Sequence, residues 1–114
     1  MLNIDFSSLN PSYLAKTFIE RILHLLMTIT EILAKNARIY KDRIALIERV
    51  PELAARRSLT WEDFYSASNK LANSLEGYGI RKGDKIIQLM TNSLEWLPIY
   101  FGILSIGAWV VPLN

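Results

Sequence analysis

Three features of this 114-residue sequence predict an α/β fold. Apolar residues recur at helical spacing over residues 11–37 and again after Thr60. Short runs of β-type apolar residues lie between those stretches, and the last three segments alternate strand, helix, strand. The chain is 51 % hydrophobic and 21 % charged, which suits a globular domain and is too apolar for disorder.

Each element has its own signal. Asn10-Pro11 is a helix start, with proline at the first helical position. Phe18, Ile22, Leu25, Ile29 and Ile32 then form a stripe, with Glu20, His24, Glu31 and Lys35 on the opposite side. Thr28 and Glu31 have capping-box spacing, so this stretch reads as one long helix or as two with a break near Thr28. Arg43-Ile44-Ala45-Leu46-Ile47-Glu48 reads as a strand. A connection with Pro51 separates it from Ser58-Leu59-Thr60, which is expected to pair with it as a hairpin. Thr60 and Asp63 form a second capping box, opening a helix that is expected to bury Phe64, Ser68, Leu71 and Leu75. Gly79 ends that helix in the left-handed conformation glycine tolerates.

Lys85-Ile86-Ile87-Gln88-Leu89-Met90 is apolar enough to be a strand covered on both faces. Asn92 or Ser93 is expected to cap the next helix, which runs to Gly107, and Trp109 to Leu113 is the last strand. Gly102 and Gly107 are expected to let helix approach sheet. Strand, helix and strand make a βαβ unit. Its last strand should be a covered one, so the architecture reads as unfinished, and self-association through an exposed apolar strand is expected.

Composition excludes several functions. The net charge is +2 with basic and acidic residues intermixed, which does not make the basic face of a nucleic-acid binder. The absence of cysteine excludes disulfides, thiolate metal sites and a cysteine nucleophile; it fits a reducing compartment, and a cytoplasmic location is expected. His24 is the only histidine and reads as a surface residue. No basic region precedes an apolar run at the N-terminus, so no secretory signal is expected. Residues 97–113 are uncharged and nearly long enough to span a bilayer, but they contain Pro98, Gly102, Gly107 and Pro112. A buried helix followed by a strand explains them better than a transmembrane segment.

Leu59-Thr60-Trp61-Glu62-Asp63-Phe64, followed by Ala67, Ser68, Asn69, Leu71 and Ala72, is similar to an early motif of the adenylate-forming superfamily. Gly79-Ile80-Arg81-Lys82-Gly83-Asp84-Lys85 looks like the turn that follows it there. Asn92-Ser93-Leu94-Glu95-Trp96 and residues 100–114 resemble two later blocks. Trp61 stands at the usual tyrosine position and Ser68 at the usual alanine. Asn114 points to an acyl-CoA synthetase rather than a peptide-synthetase adenylation domain, where aspartate is usual.

The resemblance implies an incomplete N-terminal part of the AMP-binding domain over residues 27–114, with residues 1–26 as a helical extension. Such enzymes activate a carboxylic acid, here expected to be a fatty acid, with ATP and Mg²⁺ to acyl-AMP. They then pass the acyl group to coenzyme A. The family's phosphate-cradling loop with its lysine, its ribose-binding aspartate and its late lysine have no counterpart here, and Gly77-Tyr78-Gly79 lacks phosphate-loop spacing. No catalytic, cofactor-binding or metal-ligating residue is therefore assigned. ATP, Mg²⁺, coenzyme A and the acid are expected partners of a complete enzyme only. Asn92-Ser93 is the one local site of interest, at a strand's carboxyl end where ligands and anions are favoured. The alternatives are a binding or regulatory module without catalysis and a small membrane-associated protein using the apolar C-terminal run.

Overall fold

A computed structural model describes residues 10–50 and 55–113, without the side chains of residues 23–25 and 55. Residues 1–9, the connection at Pro51, the side chain of His24 and Asn114 lie outside that description. Within it the order is α1 (Pro11–Leu25), α2 (Ile29–Ile39), β1 (Ile44–Val50), β2 (Ala55–Thr60), α3 (Trp61–Gly77), β3 (Lys85–Leu89), α4 (Trp96–Ser105) and β4 (Trp109–Leu113).

The N-terminal helical stretch is two helices. Asn10 caps α1, its Oδ1 accepting from the Ser12 N–H at 3.0 Å, with Pro11 next in the chain. Thr28 caps α2 in a complete capping box: its hydroxyl accepts from the Glu31 N–H, and the Glu31 carboxylate accepts from the Thr28 N–H at 2.6 Å. These bonds hold the Glu31 carboxyl below its usual range. The break rephases the apolar stripe: Leu33 and Ala37 are buried, while Ile29 and Ile32 are exposed.

β1 and β2 form the expected antiparallel hairpin, with a register shift between Ile44 and Leu46. Both strands reach further toward the connection than expected, to Val50 and from Ala55. Thr60 then caps α3 with Asp63 as its reciprocal partner. The helix ends in a Schellman motif: the Ile80 N–H donates to Leu75 O and the Gly79 N–H to Glu76 O, with Gly79 at φ +88°.

The core lies between α2, α3 and α4, where Leu33, Phe64, Ala72 and Ile103 are buried. Phe64 meets Phe101 edge-on, with centroids 5.1 Å apart. Ser68 is also buried, its hydroxyl donating to Phe64 O at 2.9 Å. Gly102 serves a different contact from the one expected. A Cβ there would lie 2.8 Å from Ser68 O and 3.0 Å from Leu71, so this glycine lets α4 approach α3, helix on helix. Gly107, at φ +74°, is a turn residue facing the Lys82 side chain.

β3 and β4 are parallel and in register from Lys85↔Trp109 to Leu89↔Leu113, with α4 as the crossover. The 81–84 turn joins the two strand starts, as the Gly83 N–H donates to Gly107 O and the Trp109 N–H to Asp84 O. Residues 97–113 are therefore helix and strand, and no helix among the described residues is long and apolar enough to cross a membrane. Burial of these strands on both faces is not observed. Buried Gln88 donates to Trp96 O at 2.9 Å, so its face meets α4, but Ile87 (64 % exposed), Leu89 (71 %) and Trp109 (65 %) lie open on the other face. The described helices supply one covering layer, and a parallel sheet needs two.

Candidate functional site

The carboxyl end of β3 is where the sequence placed a candidate site, and the structure builds it differently. Neither Asn92 nor Ser93 caps α4. The helix begins at Trp96, its N-cap Glu95 has helical torsions, and no side chain caps it. The segment is held instead by the hairpin. Glu48 on β1 accepts the Leu94 N–H through Oε1 at 3.1 Å and the Arg57 Nε–H through Oε2 at 2.6 Å. Arg57 on β2 also reaches Glu95 with both terminal nitrogens, at 2.7 and 3.1 Å.

Two carboxylates thus share one guanidinium, which bridges β1, β2 and the entry to α4. The fork of Arg57 suits this task, since it offers donors in two directions at once. Bonding to Arg57 holds the Glu95 carboxyl down at about 2 and lowers Glu48 as well, while Arg57 itself is pushed above its usual value. Arg57 and Glu95 are about half exposed, whereas the Glu48 side chain is only 15 % exposed. These charges are therefore a tertiary tie.

The tie changes what the segment can bind. The Leu94 N–H, one of the donors an anion would seek at a helix entry, is already occupied by Glu48, and the cluster carries two negative charges to one positive. Anion capture there is disfavoured. Two open depressions flank the segment: one is lined by Leu89, Met90, Thr91 and Asn92, and the other includes Leu46, Glu48, Asn92, Ser93 and Leu97. Their polar lining includes Thr91, Asn92 and Ser93, with Glu48 already bonded to Arg57 and to the Leu94 N–H. Among the described residues no three metal-ligating side chains come together. The sequence did carry a signal for the tie. Glu48 and Arg57 face each other across the hairpin register, and opposite charges at such positions attract. Glu95 could not be found this way, because its approach depends on how α4 packs.

Residues 33–114 match the family model described as AMP-binding enzyme. The chain is 40 % identical over 67 residues to a 3-hydroxybenzoate–CoA/4-hydroxybenzoate–CoA ligase of Thauera aromatica, a match covering 59 % of this chain and 13 % of that protein. It is 31 % identical over 81 residues to the uncharacterized protein Rv1549 of Mycobacterium tuberculosis, covering 71 % of this chain and 44 % of that one. Among solved structures, the inhibitor-bound N-terminal domain of FACL13 from Mycobacterium tuberculosis superposes with a TM-score of 0.67 at 30 % identity, over 78 % of this chain and 21 % of that one. The chain thus spans a minor part of the relatives it matches.

Proposed function

The chain belongs to the AMP-binding enzyme family, and from that membership we propose that it is the N-terminal scaffold of an acid–CoA ligase, inactive by itself. The supporting observation is that residues 33–114 match the family, while among the described residues no three metal-ligating side chains come together. In the proposed reaction a carboxylate oxygen attacks the α-phosphorus of ATP and pyrophosphate leaves. The thiol of coenzyme A then attacks the acyl carbon and AMP leaves. An anion attacking an anion needs Mg²⁺ and positive side chains around the transferring phosphorus. The Arg57 guanidinium is not free for that role, since two carboxylates occupy it. Residues 33–113 would instead fix the position of the β3 carboxyl end, the kind of position ligands favour in α/β sheets. A fatty acid is the proposed acyl substrate, supported by 36 % identity over 56 residues to the long-chain-fatty-acid–CoA ligase FadD13 of Mycobacterium tuberculosis, over 49 % of this chain and 11 % of that one.

The test is pyrophosphate release by the purified chain with ATP, Mg²⁺, coenzyme A and a panel of fatty and aromatic acids. No release above the no-acid control is expected, and acid-dependent release would overturn the proposal. A second reading, a module that acts without catalysis, is favoured by one observation: the matched segment makes up nearly half of Rv1549. Cooperative unfolding of a monomeric chain would favour it.

A further inference from the structure

Helix α1 is unlike the rest of the chain. It lies outside the residues that match the family, and its described side chains are exposed apart from Thr17, which is half-buried. Yet its exposed residues are not polar: Tyr13, Leu14, Phe18, Ile19 and Ile22 all lie in solvent, with Phe18 66 % exposed, and the C-cap Leu26 is 69 % exposed. All but Tyr13, which falls beside Glu20, lie on one face. At about 100° per residue, Leu14, Phe18, Ile22, Leu26 and Ile19 span an arc of about 140° on one side. Arg21 falls at the Leu14 margin of that arc and Lys16 beyond the Ile19 margin, while Glu20 lies in the middle of the polar side.

We propose that α1 is an interfacial helix that seats the protein on an anionic lipid surface. The length fits lying on a membrane rather than crossing it. Fifteen residues make a rod of about 22 Å, short of the roughly 30 Å hydrocarbon core, and Lys16, Glu20 and Arg21 interrupt it. The charges fit as well. With the apolar face sunk below the headgroups, the stem of Arg21 extends along the Leu14 margin and that of Lys16 reaches down from about 60° beyond the Ile19 margin, bringing both cations toward the phosphate layer, and Glu20 points to water.

A second copy of the chain fits less well. Facing α1 helices would align Lys16 with Lys16 and Arg21 with Arg21 if antiparallel, or Lys16 with Arg21 if parallel. Each arrangement sets cation beside cation along both edges of the seam. An anionic surface satisfies both margins together.

The experiment is flotation of the full chain with phosphatidylcholine vesicles and with vesicles of phosphatidylcholine and phosphatidylglycerol in equal parts. Binding is expected on the anionic vesicles, weakening at high salt. A basic residue beside an anionic surface contributes about a factor of five, so Lys16→Gln with Arg21→Gln should weaken binding about thirty-fold. Phe18→Ser with Ile22→Ser should abolish it, with the circular dichroism spectrum retained because neither side chain belongs to the core. Ile87→Lys, on the open sheet face, should leave flotation unchanged, which separates the two apolar surfaces. Equal flotation on neutral and anionic vesicles, or flotation indifferent to the α1 variants, overturns the proposal. So does self-association without flotation that the Phe18 and Ile22 changes dissolve.

Discussion

Replacing Gly102 by alanine adds one methyl group where α4 approaches α3 closely, and the structure fixes what that methyl meets. It would lie 2.8 Å from the carbonyl oxygen of Ser68 and about 3 Å from the Leu71 side chain. The obstacle is α3 backbone, which a rotamer change cannot move aside, so α4 must shift away from α3. Overpacking of this kind costs about 1–3 kcal/mol, and a backbone obstacle puts it in the upper part of that range. Alanine's better helix propensity offsets about 1 kcal/mol. The net loss is about 1–2 kcal/mol, or about a 5- to 30-fold rise in the population of open chains. Proteolysis of dilute chain by a small amount of thermolysin reads that population when reclosing outpaces cleavage. Gly77→Ala is the matched control. Gly77 closes α3 with no atom within 4 Å of an added Cβ and no positive φ, so the change should slow cleavage about 2- to 5-fold through the unfolded state alone. Opposite signs for one chemical change are the expected result. Cleavage of Gly102→Ala at or below the wild-type rate would refute the close approach of α4 to α3.

Thr60→Ala removes the hydroxyl that accepts the Asp63 N–H and should destabilise the chain by about 1 kcal/mol, measured as the same change in cleavage rate. The Arg57 tie sets a pH dependence. Because the folded-state values of Glu95 and Glu48 are depressed, the tie contributes above the ordinary glutamate range near 4.5 and is lost as the pH falls toward about 2. The protection of the Leu94 amide, its exchange corrected for the intrinsic rate at each pH, should fall across that window in the native chain and be low throughout in Arg57→Gln; an Arg57→Gln profile like that of the native chain would count against the tie. Ile87→Lys places a charge in the middle of the open β3–β4 face and should reduce light scattering at high protein concentration. Unchanged scattering would show that association uses another surface.

Local chemistry makes most of the elements legible in the amino-acid sequence. Thr28 with Glu31 and Thr60 with Asp63 announce helix starts because a reciprocal capping box pairs a hydroxyl with a carboxylate three residues on, and both boxes form as spaced. Gly79 marks the end of α3 because few other residues tolerate its φ of +88°. The alternation of apolar runs likewise announces a hairpin and a parallel pair joined by a helix. Positions whose surroundings come from distant segments were not legible. Asn92 and Ser93 have the chemistry of a cap, yet Glu48, 46 residues before Leu94 in the chain, takes the donor at that turn. Gly102 is visibly a place of close approach, but only packing shows that the neighbour is α3 rather than the sheet. Ile87 and Leu89 have the composition of strands buried on both sides, and composition says nothing about whether a second layer is present to bury them. The sequence by itself determined the order of helices and strands and the starts of α1 and α3, because capping, torsional freedom and periodicity act within a few residues. Tertiary structure alone decided which face is covered, which carboxylate meets Arg57 and which glycine carries a contact, because those energies depend on groups the chain brings together from far apart.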